Sequence, residues 1–290
     1  MRERNLKQVF LELETETGKK VLEECKRKLK EEGLCVEILQ ADFPLPEEKT
    51  GILFLTDSAK TANRLSAASF AVLGYLNKEN SKDNFETLQF LFEDTEALST
   101  EYLEMIYCRK WGLPVEILTT QRLVLRETTE QDIDAFYRIY AEPSITRYME
   151  NLFEDREKER DYITAYRKYM YGFYGFGFWT VLLKETGEII GRAGLTMREG
   201  SEIPELGFVI GVPWQGRGLA REICEAILMY GAEELGFTQV QAYAEPENLP
   251  SVRLLKQLGF KEAEEKDEGK KEEKKEKYLK KYLTNISSRV

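Results

Sequence analysis

The sequence predicts an α/β protein of two domains, and three features of its pattern support that prediction. Short apolar runs typical of strands alternate with amphipathic runs typical of helices over residues 9–110. The pattern breaks at Gly112, and a second series of strands and helices begins at Thr120. The chain has 290 residues, which is enough for two domains of ordinary size. We therefore expect one domain over residues 1–117 and another over residues 118–290.

Strand–helix alternation in the first domain predicts a small parallel sheet in a three-layer α/β arrangement. The predicted strands cover residues 9–13, 34–39, 52–55, 70–73 and 88–92, and the predicted helices cover residues 18–32, 58–68 and 99–110. Asp57 follows a buried strand, at the position where open α/β sheets hold ligands. Capping of the next helix by Asp57 or Ser58 is the favoured interpretation. We expect a role in binding or assembly for this domain, and residues 113–119 are predicted to link it to the second.

The second domain is predicted to be a mixed sheet flanked by helices. The predicted strands cover residues 121–126, 176–183, 189–197, 203–211, 239–243, 260–264 and 278–283, and the predicted helices cover residues 129–141, 154–171, 217–235 and 249–258. The Lys/Glu run from Lys266 to Lys277 predicts a solvated turn or a disordered hairpin tip.

The charge balance argues against nucleic acid as a partner. Residues 1–119 contain 16 basic and 22 acidic residues, and residues 120–290 contain 26 and 30, so both halves are mildly acidic. No apolar run approaches the roughly 18–20 residues of a membrane span, and the start of the chain lacks a signal-peptide core. We therefore expect a cytoplasmic protein that binds neither membranes nor nucleic acid.

Two absences restrict the chemistry. The chain contains no histidine, and its four cysteines (Cys25, Cys35, Cys108 and Cys224) form no Cys-x-x-Cys pair. These absences exclude a Ser-His or Cys-His nucleophile, a histidine general base and a histidine-containing zinc site, and we predict no metal. Scattered thiols are typical of buried side chains in a reducing compartment. Proton transfer must therefore use a carboxylate, a tyrosine, a lysine, a cysteine or water.

One segment has the pattern of an anion-binding turn. It consists of Gln215, Gly216, Arg217, Gly218, Leu219 and Ala220. The segment lies between the apolar run 206–211 and the amphipathic run 221–235, which predicts a strand, a glycine turn and a helix. A helix start of this kind leaves several backbone N–H groups unpaired and pointing the same way. The spacing differs from the dinucleotide-binding and Walker patterns. A purely structural glycine turn is the alternative.

This segment and three others resemble signatures of the GNAT acetyltransferase superfamily. The turn matches the superfamily's pyrophosphate-binding loop, and residues 247–260 match its second signature, an Asn, a Ser at a helix start and a helix ending in Gly-Phe. A strand-like alternation over residues 239–243 lies between them. Residues 120–132 look like the first strand and helix cap of the branch similar to ribosomal-protein N-terminal acetyltransferases. The resemblance extends over roughly residues 120–285.

The resemblance implies acetyl-CoA as co-substrate and a primary amine as acceptor, either a protein N-terminus or a small molecule. The loop would hold the pyrophosphate. The strand with Phe208, Val209 and Ile210 would carry a bulge and pair with the pantetheine arm, leaving a backbone N–H at Phe208 or Val209 to polarise the thioester. Asn248 and Ser251 would contact the arm, although Asn248 is also interpreted as a helix cap. No cysteine occupies a position suited to an acyl-enzyme, so direct attack is expected.

The same resemblance implies Glu205, at a strand start, as the base beside the acceptor amine, acting directly or through one water. An exposed strand-end residue is the alternative for Glu205, and Glu202 is the second candidate base. One position departs from the family: many members have a tyrosine acid where this chain has Leu255. Because a thiol of pKa about 8.5 leaves readily as thiolate, Leu255 does not exclude catalysis.

An aromatic, glycine-rich segment is interpreted as a wall of the acceptor site. The residues concerned are Tyr171, Phe173, Tyr174 and Phe176, with core packing as the alternative and with Phe178 and Trp179 assigned to the core. Two other functions stay open. The first is a non-catalytic acyl-CoA sensor or scaffold acting through the first domain, and the second is a fusion of two enzymes. A homodimer is also left open.

Overall fold

The computed structural model describes residues 4–40, 43–198, 200–263 and 279–287. The chain divides into two compact units, Met1–Val115 and Glu116–Val290. The turn predicted at residues 266–277 lies outside the described residues. Among the helices of the described residues, none combines the length and the apolar character that crossing a membrane requires.

The first unit is a five-stranded parallel sheet with helices on both faces, as predicted. The strand order is β2-β1-β3-β4-β5. The strands are β1 Gln8–Glu12, β2 Cys35–Ile38, β3 Ile52–Thr56, β4 Ala71–Tyr75 and β5 Leu91–Phe92, and the helices are α1 Glu16–Glu31, α2 Ala59–Ala67 and α3 Thr100–Lys110. Helices α1 and α3 pack on the face that carries Leu53, and α2 packs on the face that carries Phe54. All residues of β3 are buried because both faces of the sheet are covered.

Asp57 has a different partner from the one predicted. Its carboxylate accepts hydrogen bonds from the backbone N–H groups of Glu14 and Thr15, at 2.7 and 3.1 Å, and from the Thr15 hydroxyl at 2.5 Å. Ser58, the other candidate, caps α2. The carboxyl ends of neighbouring parallel strands lie side by side, so Asp57 ties the loop before α1 to the end of β3.

The second unit is a mixed eight-stranded sheet in the order β12-β13-β11-β10-β9-β8-β7-β6. Its strands are β6 Glu116–Thr119, β7 Leu123–Arg126, β8 Phe178–Leu183, β9 Ile189–Thr196, β10 Glu205–Ile210, β11 Gln239–Ala244, β12 Lys261–Glu262 and β13 Lys280–Asn285. Its helices are α4 Ile133–Tyr140, α5 Pro143–Thr146, α6 Arg156–Tyr166, α7 Leu219–Glu233 and α8 Leu249–Gln257, and a π-helical segment, Arg167–Tyr174, continues α6.

Residues 116–119 correct the predicted linker. They form the edge strand β6, which pairs antiparallel with β7 through Glu116, Leu118 and Thr119. Four residues are too few for a periodicity argument, and the nearby glycine and proline favoured a loop. The boundary between the two compact units therefore falls between residues 115 and 116, instead of between residues 117 and 118.

Helices cover both faces of the second sheet. Helices α7 and α8 pack on one face, in the cluster that contains Leu206 and Ile210 of β10. Helices α4 and α6 pack on the other face, in the cluster that contains Val209. Successive residues of a strand point to opposite faces. The side chain of Glu205 therefore lies on the α4 face with Val209.

We propose that the two units are separable domains, because each has hydrophobic clusters of its own. A fragment of residues 116–290 is expected to fold on its own. Circular dichroism of the fragment measures this property, and limited proteolysis of the full chain is expected to cut near residues 113–116. An unfolded fragment together with an uncut chain would contradict the proposal.

Candidate active site

Strands β10 and β11 are paired at one residue position only and then diverge. The gap that opens between them forms the centre of the site. Glu205 faces Gln241 in the parallel register, whereas β11 pairs with β13 along all six of its residues. The Gly211 N–H bonds to the Ile190 carbonyl across the β9 edge at 2.8 Å. Because antiparallel bonding alternates along a strand, Val209 bonds to β9. The peptide groups of Phe208 and Ile210 therefore face the gap.

The pairing of β10 with β9 bears on two predictions: which N–H group faces the thioester, and whether β10 contains a bulge. Of the two candidate N–H groups for the thioester, the one at Phe208 faces the gap and the one at Val209 does not. The pairing of β10 with β9 runs from Glu205 to Ile210 without a register shift. The bulge that the resemblance implies is therefore absent from the described pairing of β10 with β9. The Phe208 peptide group is exposed because β11 has separated from β10 at this point.

The glycine turn leads into α7 as predicted. Gly216 and Gly218 have φ angles of +73° and +75°, which glycine adopts without strain. Gly218 is the N-cap of α7, and no side chain caps this helix start. The first backbone N–H groups of α7 are therefore available to an anion, and the helix dipole adds partial positive charge there. The Gln215 side chain donates to the Ile210 carbonyl at 2.8 Å and joins the turn to β10.

Arg122, at the start of the domain, holds this turn in place. Its guanidinium donates to the Glu222 carboxylate at 2.6 Å and to the Arg217 carbonyl at 3.0 Å. Glu222 also accepts from the Thr120 hydroxyl at 2.6 Å. Burial acts to raise the pKa of Glu222, but the hydrogen bonds from Thr120 and Arg122 outweigh it and hold the pKa below its usual range. The carboxylate therefore stays charged and keeps Arg122 against the turn.

A cavity of about 680 Å³ occupies the gap and ends at the turn. Ten of the eleven predicted cofactor-binding residues line it: Phe208, Val209, Ile210, Gln215, Gly216, Gly218, Leu219, Ala220, Asn248 and Ser251. The exception is Arg217, which is exposed and does not line the cavity. Asn248 is also the N-cap of α8, since its side chain accepts from the Ser251 N–H at 3.4 Å. The helix-cap interpretation of Asn248 is therefore confirmed, and contact with the cofactor arm stays a prediction.

Several lining residues were missed from the sequence. They are Ser144, Ile145, Tyr148 and Met149 in and after α5, Trp214 beside the turn, and Pro250, Arg253, Leu254 and Gln257 of α8. The α8 residues recur at helical spacing after the Asn248 signature, and that spacing could have identified them. The stretch from Ser144 to Met149 belongs to no motif. It reaches the cavity only through the packing of α5.

Glu205 lies at the start of β10 but does not line this cavity. Its carboxylate forms an ion pair with the Arg198 guanidinium at 3.6 Å, and the Glu205 side chain is 25% exposed. The guanidinium of Arg198 in turn stacks over the Tyr243 ring at 4.5 Å. Three residues of extended chain place the Glu205 and Phe208 Cα atoms about 10 Å apart. At that separation, a carboxylate would reach an amine at Phe208 through water.

The predicted aromatic wall is corrected for two of its four residues. Tyr171 is fully buried and its hydroxyl donates to the Phe178 carbonyl, while Phe176 is buried against Phe237. Burial raises the pKa of Tyr171. Phe173 is 74% exposed and Tyr174 is 37% exposed, and neither lines the cavity. Glycines between aromatic residues suggested a loop, but tertiary contacts continue α6 as a π-helix and direct Tyr171 into the core.

Sequence comparisons with known proteins agree with this geometry. A family model described as acetyltransferase (GNAT) domain matches residues 122–261. The chain is 32% identical over 149 residues to the uncharacterized N-acetyltransferase p20 of Bacillus licheniformis, a match that covers 51% of this chain and 83% of that protein. It is 29% identical over 145 residues to the uncharacterized N-acetyltransferase YnaD of Bacillus subtilis (strain 168), covering 50% of this chain and 82% of that protein.

Among solved structures, an acetyltransferase from Agrobacterium tumefaciens str. C58 has a TM-score of 0.49 and 23% identity, covering 58% of this chain and 92% of that chain. The family model and the Bacillus licheniformis relative decide the assignment: the chain belongs to the GNAT acetyltransferase family. It is an acetyltransferase with a GNAT domain in its second unit. The first unit lies outside the range that the family model matches.

Proposed function

We propose that the protein transfers an acetyl group from acetyl-CoA to a primary amine, on a protein N-terminus or a small molecule, by direct attack. The main support is the cavity in the gap between β10 and β11, which ends at the uncapped start of α7. That start offers backbone N–H groups to the pyrophosphate, and the gap offers the free edge of β10 to the pantetheine arm. Arg221 and Arg253, which line the cavity, add positive charge.

The Phe208 N–H supplies the polarisation that acetyl transfer requires. It faces the gap and has no strand partner there, so it donates to the thioester oxygen as negative charge develops on that atom. A backbone donor is held by the strand and needs no reorganisation during the reaction. In this proposal Glu205 accepts the proton of the acceptor amine through a water and keeps the amine neutral for attack.

Direct attack is supported by the placement of the cysteines. Cys224 is fully buried on α7, and desolvation raises the pKa of its thiol, so it stays protonated and unreactive. None of the four cysteines lines the cavity. An acyl-enzyme on cysteine therefore has no nucleophile near the thioester, and the acceptor amine attacks the carbonyl carbon itself.

Thiol release from acetyl-CoA, measured with a panel of amines, tests this function. The panel contains peptides with free N-termini, amino acids, polyamines and aminoglycosides. We expect release that depends on one class of amine, together with an acetylated product of the mass of the amine plus one acetyl group. Acetyl-CoA binding without release on any of the amines would overturn the proposal and favour a non-catalytic sensor.

Gly218→Asp is expected to weaken acetyl-CoA binding by about 2–4 kcal/mol, because it places a carboxylate at the phosphate site and a Cβ where the backbone meets the ligand. Calorimetry on the folded variant measures the change. Gly187→Asp is the matched control, since Gly187 has a φ angle of +71° in an open turn, where an added Cβ would meet no heavy atom of a non-neighbouring residue within 4 Å. Gly187→Asp introduces the same backbone strain and the same negative charge as Gly218→Asp, but it should leave the affinity for acetyl-CoA unchanged. Equal affinities for both variants would contradict the assigned phosphate site.

A further inference from the structure

A proton donor to the sulfur assists departure of the thiolate without being required for it, and the donor implied by the family pattern is absent from this chain. Leu255 occupies the position where many relatives have a tyrosine, and it is 1% exposed within the core cluster between α7, α8 and the sheet. Leu255 does not line the cavity, and its side chain has no proton to give. Any side-chain donor to the sulfur therefore comes from another element.

Tyr148 bridges the cavity from the opposite side. It follows α5, lines the cavity with Phe208, and its hydroxyl donates to the Glu247 carbonyl at 3.3 Å. Glu247 precedes Asn248 in the loop between β11 and α8, so the phenol spans from the α5 side of the gap to the β11 side. The neighbouring Arg147 guanidinium lies 5.1 Å from the Tyr148 ring centroid and pairs with the Glu247 carboxylate at 3.5 Å, but both charged side chains are mostly exposed, so this pair adds little to the bridge.

The composition of the cavity wall points to the same residue. Among the described residues that line the cavity, three have ionisable side chains: Tyr148, Arg221 and Arg253. Arginine keeps its proton throughout the working range of enzymes, so the two guanidinium groups cannot transfer one. Ser144 and Ser251 are far weaker acids than a phenol. The Tyr148 hydroxyl is therefore the proton source that the wall provides near the gap.

We propose that Tyr148 is a catalytic residue that gives its hydroxyl proton to the sulfur as the thioester breaks. The inference rests on the proposed function. The amine nitrogen forms a bond to the carbonyl carbon, the carbon–sulfur bond breaks, and its electron pair goes to sulfur. The Tyr148 proton moves to that sulfur and yields the free thiol, and the phenolate regains a proton from water. The proton lost by the amine leaves through Glu205, so protons and electrons balance over the cycle.

Tyr148→Phe tests the proposal, because it removes the hydroxyl and keeps the ring on the cavity wall. We expect kcat to fall about 10–100-fold while KM for acetyl-CoA stays within a few fold. A solvent deuterium isotope effect on kcat provides an independent readout. Wild type should show an effect from proton transfer to the sulfur, and the effect should be smaller in the variant.

Arg147→Gln is the matched control for the bridge. It breaks the ion pair to Glu247 and leaves the Tyr148 hydroxyl in place, so it should retain kcat and the isotope effect. Equal losses of kcat in the two variants would show that the bridge alone matters and would overturn the acid role. Wild-type kcat in Tyr148→Phe would overturn it as well, while leaving the proposed function intact. Absence of thiol release by wild type on every amine would instead overturn both.

Discussion

Glu205→Gln is expected to lower turnover about 10²–10⁴-fold with cofactor affinity nearly unchanged, because glutamine keeps the size of the side chain and removes its basicity. Glu205 starts β10 on the face that α4 covers, three residues before the peptide group that faces the gap. The chain has no histidine to act as an alternative base. The measurement is the pH–rate profile with an identified amine, in which the acidic limb of wild type should disappear.

Two further variants sharpen that test. Glu202 is an exposed residue outside β10, so Glu202→Gln should retain wild-type rates at every pH. Arg198→Met removes the guanidinium that pairs with the Glu205 carboxylate and should lower turnover less than Glu205→Gln does, because the carboxylate itself remains. A Glu205→Gln protein with wild-type rates at all pH values would mean that solvent deprotonates the amine. Glu205 would then be only the start of a strand.

Asp132→Ala is expected to destabilise the second unit by about 3–5 kcal/mol, because it leaves a largely buried arginine without its counter-charge. Asp132 is 1% exposed, and its carboxylate binds the Arg126 guanidinium through two hydrogen bonds of 2.6 and 2.7 Å. The same carboxylate accepts from the Thr129 N–H at 2.9 Å and from the Thr180 hydroxyl at 2.8 Å. The change therefore removes the group that joins β7, β8 and the start of α4.

Asp134→Ala provides the matched control two residues away. Asp134 pairs with Arg156, but both side chains are mostly exposed, and such a pair contributes about 0–1 kcal/mol. Urea denaturation of both variants, followed by circular dichroism and by tryptophan fluorescence, measures the difference in the unfolding midpoint of the second unit. Equal midpoints for the two variants would contradict the importance assigned to the buried pair.

The turn at residues 215–220 shows how much of the site the sequence could predict. Its function depends on local chemistry: two glycines adopt positive φ angles, and the helix that follows begins without a side-chain cap. Both properties belong to a few neighbouring residues, so a short motif identifies them. The helical spacing after Asn248 is equally local, and it extends to the α8 residues that line the cavity.

Residues that act across the fold could not be placed in that way. Asp57 was assigned to its nearest helix, but its carboxylate bonds to the loop before α1, more than 40 residues earlier in the chain. Tyr171 was predicted to end a helix and to form part of the acceptor wall, and it proved to be part of the core, which was the alternative interpretation. In both cases the hydrogen-bond partner lies on another element, which local sequence does not reveal.

By itself the sequence determined the family, the order of strands and helices, the glycine turn before α7 and the absence of histidine chemistry, because these depend on residue types and short spacings. Only the tertiary structure decided that β10 and β11 part after one facing pair, that the Phe208 peptide group faces the gap, and that Tyr148 bridges it to Glu247. These features arise from the packing of elements that are separated in the chain: Glu205 and Gln241 lie 36 residues apart, and Tyr148 and Glu247 lie 99 residues apart. The hydrophobic periodicity of a sequence describes a single helix or strand. It therefore does not show which strand edges or side chains come into contact when two distant elements pack together.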